Sequence, residues 1–424
     1  MRFIHLGDIH LGKTLGEFNL IDDQKYILDQ ILEIIRDKDV DAALIAGDVY
    51  DRALPSEAAV SLLDYFICSL SESGTETFII SGNHDSEDRL RYGKKLFSDR
   101  GIYIASRYEG ELEKIELKDD YGKLNIYMLP FVKASQVRHF HPNDEISSYD
   151  DAVKAVIVHA DIDFDCRNII VAHQFVTGET DPAIAGSEGA SVQNVGLVEK
   201  ISCENLKDFD YAALGHLHSP QRVGYDNIRY SGSPLKYSLS EALSDKSVSI
   251  ITLKEKGNVD IELVPLKPYR DLRHITGRME QLLSSDNLTD TDDYMYVTLT
   301  DEDMVNDAMS IIQQYYPNTV KIDYRNSHTR EIEEFDFTEI SETKAFDELI
   351  SDFYKMMYGS DISSEELEIM MSVAREAGVS VATVSRVLNG SSNVSAVNSC
   401  RNEQCTRRRG IFFIGNDYVY RGHM

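Results

Sequence analysis

The sequence predicts an α/β fold with a central sheet, followed by a small second α/β unit and a helical carboxyl-terminal segment. Three observations lead there. Short apolar runs, each cut off by polar residues, recur at Phe3 to Leu6, Ala42 to Ala46, Thr77 to Ile80, Asn168 to Ala172 and Tyr211 to Leu214, and read as buried strands. Between the early runs the apolar residues change to helical spacing. The chain has 424 residues, 42% of them hydrophobic, which suffices for more than one core.

Taken in order, Ile27, Leu28, Ile31, Leu32 and Ile35 form the apolar stripe of a first helix, and Ala59, Leu62, Leu63, Phe66 and Ile67 that of a second. The strand pattern from Val248 to Pro265 completes a first domain, residues 1–265. Pro265-Leu266-Lys267-Pro268 marks a boundary. Residues 266–330 then carry a helical stretch at Met279 to Leu283, a strand at Tyr294 to Leu299, a helix at Asp303 to Tyr315 and a strand at Thr319 to Tyr324. In residues 331–372, Phe346, Leu349, Ile350, Phe353, Tyr354 and Met357 make one broad helical stripe, which packs on its own chain or docks on the helices of another protein.

Composition narrows the function. Lys and Arg total 43 against 72 Asp and Glu, a formal charge of -29, which excludes a uniformly basic nucleic-acid coat and leaves room only for a local phosphate-binding field. Five cysteines without paired spacing argue against a disulfide framework and suit a reducing compartment. The amino terminus has no secretory pattern and no run of 18 apolar residues occurs, so a cytoplasmic protein without membrane association is expected.

Each predicted strand runs into a polar cluster: Gly-Asp-Ile-His after the first, Gly-Asp-Val-Tyr-Asp after the second, Gly-Asn-His-Asp after the third, then Ala-His-Gln and Gly-His-Leu-His. Sites in open α/β sheets gather just past the carboxyl ends of strands, so the five clusters can converge on one edge. A single Asp or His at such a position is an ordinary turn former or satisfied polar group; five in succession point to metal ligands. Phosphoester hydrolysis needs that set. Two divalent cations about 4 Å apart activate water and steady the attacking and leaving oxygens, and a carboxylate must bridge them. Asp8, Asp48 and one hydroxide leave a cation pair with a single net positive charge, matched to a phosphodiester. Neutral Asn83 and imidazoles complete coordination without cancelling that charge. Oxygen and imidazole donors without thiolate favour manganese over iron or zinc. His84, beside Asn83, is the candidate general acid, with orientation of a ligand as the alternative role; Asp85 fixes that imidazole or the loop.

Gly7-Asp8-Ile9-His10, Gly47-Asp48, Gly82-Asn83-His84-Asp85 and Gly215-His216-Leu217-His218 together resemble the signature of the calcineurin-like metallophosphoesterases, whose fold is an α/β sandwich. Within them, Met1 to Gly12, Ala46 to Pro55, Ser81 to Leu90 and Tyr230-Ser231-Gly232-Ser233-Pro234 resemble the SbcD family of nuclease subunits, over roughly residues 1–375. That resemblance implies one metal on Asp8, His10, Asp48 and His218 and a second on Asp48, Asn83, His173 and His216. It also implies manganese-dependent exonuclease action on double-stranded DNA ends and endonuclease action on single strands or hairpins, in DNA repair and recombination. An SbcC-like ATPase would receive the stripe at Phe346 to Met357, two copies of the chain would pair within a heterotetramer, and residues 266–330 would help to position duplex DNA. Arg89, Arg91, Lys94 and Lys95 are either phosphate contacts or a solvated helix face. Some relatives carry a further histidine just after the Gly-Asp motif, where this chain has Asp51 and Arg52. The rival reading is a metallophosphoesterase acting on nucleotides, cyclic nucleotides or phosphoproteins.

The resemblance implies an end soon after Val373. Residues 373–424 differ: Val373 to Gly390 resembles the helix-turn-helix of lactose-repressor-type regulators, with Gly378 at the turn, and lacks the third helix that such a unit needs. The remainder, with Arg401, Arg407, Arg408 and Arg409, is expected to be disordered.

Overall fold

The computed structural model describes residues 1–184, 200–284 and 288–326, and the backbone of Ile411–Ile414 and Asp417–Tyr420. By contacts the chain divides into two compact units, Met1–Thr298 with Val305–Asp323, and Leu299–Met304 with Tyr324–Met424. The first holds all the chemistry considered below.

Two six-stranded sheets form its centre. Counting strands of three or more residues, the first sheet contains β1 (Arg2–Leu6), β2 (Ala42–Ala46), β3 (Glu76–Ile80) and β4 (Ile102–Ala105) in parallel, extended past β1 by antiparallel β11 (Ser247–Leu253) and β12 (Val259–Pro265). The second contains β6 (Gly122–Leu129), β7 (Arg167–His173), β8 (Tyr211–Gly215) and β10 (Tyr225–Tyr230) in parallel, with β5 (Glu113–Asp119) antiparallel on one edge and β9 (Gln221–Val223) on the other. A three-stranded sheet follows from β13 (Leu272–Gly277), β14 (Tyr294–Leu299) and β15 (Thr319–Tyr324).

Side-chain alternation explains the layering. Along β2, Ala42, Leu44 and Ala46 join a core shared with Ile169, Val171, Tyr211 and Ala213 of the second sheet. Ala43 and Ile45 instead face α1 (Ile21–Asp37) and α2 (Glu57–Glu72). On the far side Ile170, Ala172, Ala212 and Leu214 pack with α3 (Ala134–Phe140) and α4 (Tyr149–His159). The order is helices, sheet, sheet, helices. These stacked sheets are the α/β sandwich that the resemblance implied; the apolar runs alone do not tell one sheet from two, since a strand buried on both faces has the same run whether a helix or a second sheet covers it.

Two further expectations need adjustment. The helix expected over Asp303 to Tyr315 is only Ala308–Gln313, preceded by Asp307 in a left-handed conformation at φ 54°. In the tail, Ile411–Ile414 pairs antiparallel with Asp417–Tyr420, so part of the segment expected to lack structure forms a hairpin. The aromatic and β-branched runs on both sides of Gly415 and Asn416 account for it. The stripe at Phe346 to Met357 and the helix-turn-helix-like segment lie outside the described residues.

Candidate metal centre

The carboxyl ends of β1, β2, β3, β7 and β8 lie along one edge shared by both sheets; His173 is the last residue of β7, and every other expected ligand sits just past the end of its strand. Asp8, His10, Asp48 and His216 all take positive φ, at 53°, 47°, 47° and 104°. Asp and His tolerate this region better than most residues, and four such residues in three turns at one edge are strain concentrated where side chains must be aimed. Gly82 is required by space: a Cβ there would land on Oδ1 and the backbone nitrogen of Asp48.

The seven donors meet. Oδ2 of Asp48 lies 3.6 Å from Nε2 of His10 on one side and 3.4 Å from Nε2 of His173 on the other. On the first side, Nε2 of His10 and Nε2 of His218 are 3.1 Å apart, and Asp8, His10 and His218 bring donor atoms within 4.8 Å of one another. On the second, Oδ1 of Asn83 is 3.1 Å from Nε2 of His173 and 3.0 Å from Nδ1 of His216. Asp8, Asp48, His173 and His218 are buried, and Oδ2 of Asp8 has no hydrogen-bond partner among the described residues. A desolvated carboxylate oxygen left bare, beside imidazole nitrogens that face one another, fits a bound divalent cation. Such ions, when bound, supply Lewis acidity and lower the pKa of water.

Burial and the charges of the cluster act on these groups in opposite directions. Burial pushes Asp8 up to about 6, partly opposed by His173 and His218. Burial also opposes ionisation of Asp48, but the charge and hydrogen bond of His173, with His10 and His84, prevail and hold it well below the usual range. Desolvation works against His173 as well, yet Asp48 and Asp8 raise it to about 9. Burial leaves His10 and His216 neutral, the form in which imidazole ligates; His216 falls to about 3.

His84 lies at the rim. Its backbone N–H donates to Oδ1 of Asp48 at 2.9 Å, Nδ1 faces the carbonyl oxygen of Asp51 at 3.0 Å, and its ring stands edge-on to His10 with centroids 4.9 Å apart. Asp85 fixes the loop and not the imidazole: its carboxylate accepts from the backbone nitrogens of Val49, Tyr50 and Gly82 at 3.1, 2.9 and 2.9 Å. The basic run is interleaved with acids. Arg91 pairs with Glu109 and Lys94 with Glu113, while Arg89 and Lys95 hold no ion pair among the described residues.

Several contributors escaped the sequence reading. Gln24 on α1 donates to the carbonyls of Ile9 and His10 at 3.2 and 2.7 Å and accepts from Gly12 at 2.9 Å, fixing the first ligand turn. Tyr237 donates to the Ile9 carbonyl at 2.5 Å and stands edge-on to His10 and His218. Asp51 also directs Oδ1 toward Nδ1 of His10 at 3.7 Å while bound to Lys13 at 2.7 Å. Gln24 and Tyr237 lie outside the polar strand-end clusters, which were the signal for the others, and Asp51 ends the Gly-Asp-Val-Tyr-Asp cluster but was given no role there.

Two stacked sheets whose central parallel strands deliver Asp, Asn and His donors to a common edge define a metal-dependent phosphoesterase. Residues 1–220 match the family described as calcineurin-like phosphoesterase, residues 268–358 that described as type 5 capsule protein repressor C-terminal domain, and residues 369–401 that of bacterial regulatory proteins of the lacI family. The SbcD component of the SbcCD nuclease of Staphylococcus epidermidis is 32% identical over 380 residues, covering 88% of this chain and 98% of that protein. Solved structures that are similar include a novel archaeal phosphodiesterase, 12% identical with a TM-score of 0.29, covering 62% of this chain and 100% of its own. A dimetal phosphatase from Danio rerio is 12% identical with a TM-score of 0.33, covering 63% and 99%. The chain belongs to the SbcD family, the nuclease subunits among the calcineurin-like metallophosphoesterases.

Proposed function

We propose that this chain is a two-manganese DNA nuclease subunit that trims double-stranded ends and cuts single-stranded or hairpin DNA in repair and recombination. Asp8, His10, Asp48 and His218 hold one ion, and Asp48, Asn83, His173 and His216 hold the other. The observation that carries the reading is the position of Asp48 Oδ2, 3.6 Å from one imidazole group and 3.4 Å from the other, where a single carboxylate serves both. Manganese is favoured by the mixture of carboxylate, amide and imidazole donors without thiolate.

The chain's own residues divide the remaining work. His84, steered by the Asp51 carbonyl, donates a proton to the departing oxygen. Arg89 and Lys95 supply phosphate contacts, since Arg91 and Lys94 already hold carboxylates. Residues 266–330 position the duplex, residues 331–372 dock on an SbcC-like ATPase, and two copies of the chain act together in a cytoplasmic assembly. With a formal charge of -29, DNA binding by the isolated chain is weak and falls steeply with salt.

The test is to incubate the full chain with manganese and compare linear duplex DNA with bis-(p-nitrophenyl) phosphate, alone and with the ATPase partner. Degradation of duplex ends supports the reading. Hydrolysis of the small ester with no attack on DNA in either condition contradicts it and favours a nucleotide, cyclic-nucleotide or phosphoprotein substrate.

A further inference from the structure

Of the four SbcD-like segments, Tyr230-Ser231-Gly232-Ser233-Pro234 alone supplies no proposed ligand, and it leads to a charge pair buried behind His218. The carbonyl of His218 accepts from the backbone nitrogen of Ser233 at 3.1 Å. Gly232, at φ +74°, permits this approach, because a Cβ there would stand 2.7 Å from that same carbonyl oxygen. Lys246, only 6% exposed, places its ammonium 2.9 Å from the His218 carbonyl, 2.8 Å from Oγ of Ser233 and 2.5 Å from Oε2 of Glu241. Glu241, 1% exposed and ending a 3-10 turn, accepts with Oε1 from the Tyr237 backbone nitrogen and the Ser238 hydroxyl, both at 3.2 Å. The same Oε1 faces Nδ1 of His218 at 3.7 Å, while Nε2 at the opposite end of the ring looks to His10.

A fully desolvated Lys–Glu pair is a poor way to stabilise a core, since apolar residues of equal volume do as well or better. What this pair offers that an apolar pair lacks is an acceptor at one end of His218 and a donor at the other. We propose that Glu241 is a positioning residue for His218. Its carboxylate keeps the ring proton on Nδ1, so that Nε2 presents its lone pair toward Asp8 and His10. Lys246 balances the buried carboxylate and, with Ser233, holds the His218 backbone. The proposal rests on the metal-centre reading and extends it to the residues that shape one of its two pockets.

The tautomer can be read in the full-length, metal-free protein by 15N NMR of labelled histidines, with His218 assigned by comparison with His218→Gln. The expected state is Nδ1–H; Nε2–H in the wild type overturns the proposal. Manganese titration followed by electron paramagnetic resonance then compares wild type with Glu241→Asp, which withdraws the carboxylate and keeps its charge. One of two manganese sites should weaken about 10- to 100-fold and the other stay unchanged. The double variant Glu241→Gln with Lys246→Met, which leaves no unpaired buried charge, should show the same loss at one site. A folded variant binding both ions as tightly as wild type overturns the proposal. Failure of the wild type to bind manganese would contradict the metal centre itself, and the tautomer would still decide the role of Glu241.

Discussion

Nδ1 of His84 faces the backbone carbonyl of Asp51 at 3.0 Å. A carbonyl oxygen only accepts, so Nδ1 carries the proton and Nε2 is the nitrogen through which His84 gains or gives one. Because the partner is a main-chain atom, the orientation does not depend on which side chain stands at position 51.

His84→Ala should therefore keep its metal content and thermal stability but lose about 10²- to 10⁴-fold in turnover, the usual contribution of a positioned acid or base. Metal analysis beside steady-state hydrolysis separates the two roles. Loss of metal in this variant would show that His84 supports the ligands and is not the acid.

Asp48→Ala removes the carboxylate between the two imidazole groups and also the acceptor of the His84 backbone N–H. Both manganese ions should be lost or weakened together and turnover abolished. If one ion were retained at wild-type affinity, Asp48 would serve a single site.

Gly82→Ala tests the tightness of the loop packing, since the added methyl would overlap the Asp48 carboxylate. A cost of about 1–3 kcal/mol is expected from the backbone shift, with lost metal affinity, because the displaced group is the proposed bridging ligand. An unchanged melting temperature with full metal content would contradict the geometry of that loop.

The layers were legible in part because buried parallel strands carry near-continuous apolar runs. Ala42–Ala46 and Thr319–Tyr324 match their expected limits. Strands β5 and β6 went unnoticed: Glu113 to Asp119 is half-exposed on an edge and Gly122 to Leu129 opens with polar residues, so neither reads as a short buried run. The expected ligands stood out because each lies at or just past the polar end of an apolar strand run, in all but the Ala-His-Gln case beside a glycine. Glu241 and Lys246 did not, since their meeting depends on a turn that folds back onto His218, and spacing along the chain holds no record of that.

Away from the centre, Asp119 accepts from Arg167 at 2.5 Å and from the amino terminus at 2.9 Å, with Arg167 almost fully buried. The Arg167 hydrogen bond, aided by the terminal amine, holds the Asp119 carboxyl below the usual carboxylate range. A depressed folded-state pKa contributes stability that is complete above the unfolded value, about 3.9, and is lost as pH falls toward the folded one. Asp119→Asn should thus be less stable by about 1.5–3 kcal/mol at neutral pH, the range for hydrogen bonds to charged groups. Melting curves from pH 7 to pH 2.5 should show the gap narrowing below about pH 5. A gap that stays constant throughout would remove the ion pair as its cause.

Deletion from Ser372 onward should leave hydrolysis of bis-(p-nitrophenyl) phosphate intact, because every proposed ligand lies before residue 219. A truncated protein that stays folded and loses turnover would assign the tail a part in catalysis.

Anomalous scattering at the manganese edge, from a crystal of the full chain soaked with the metal, bears most directly on whether one carboxylate serves two ions. The account predicts two peaks about 4 Å apart with Asp48 between them. A single peak, or two that do not share Asp48, would contradict it.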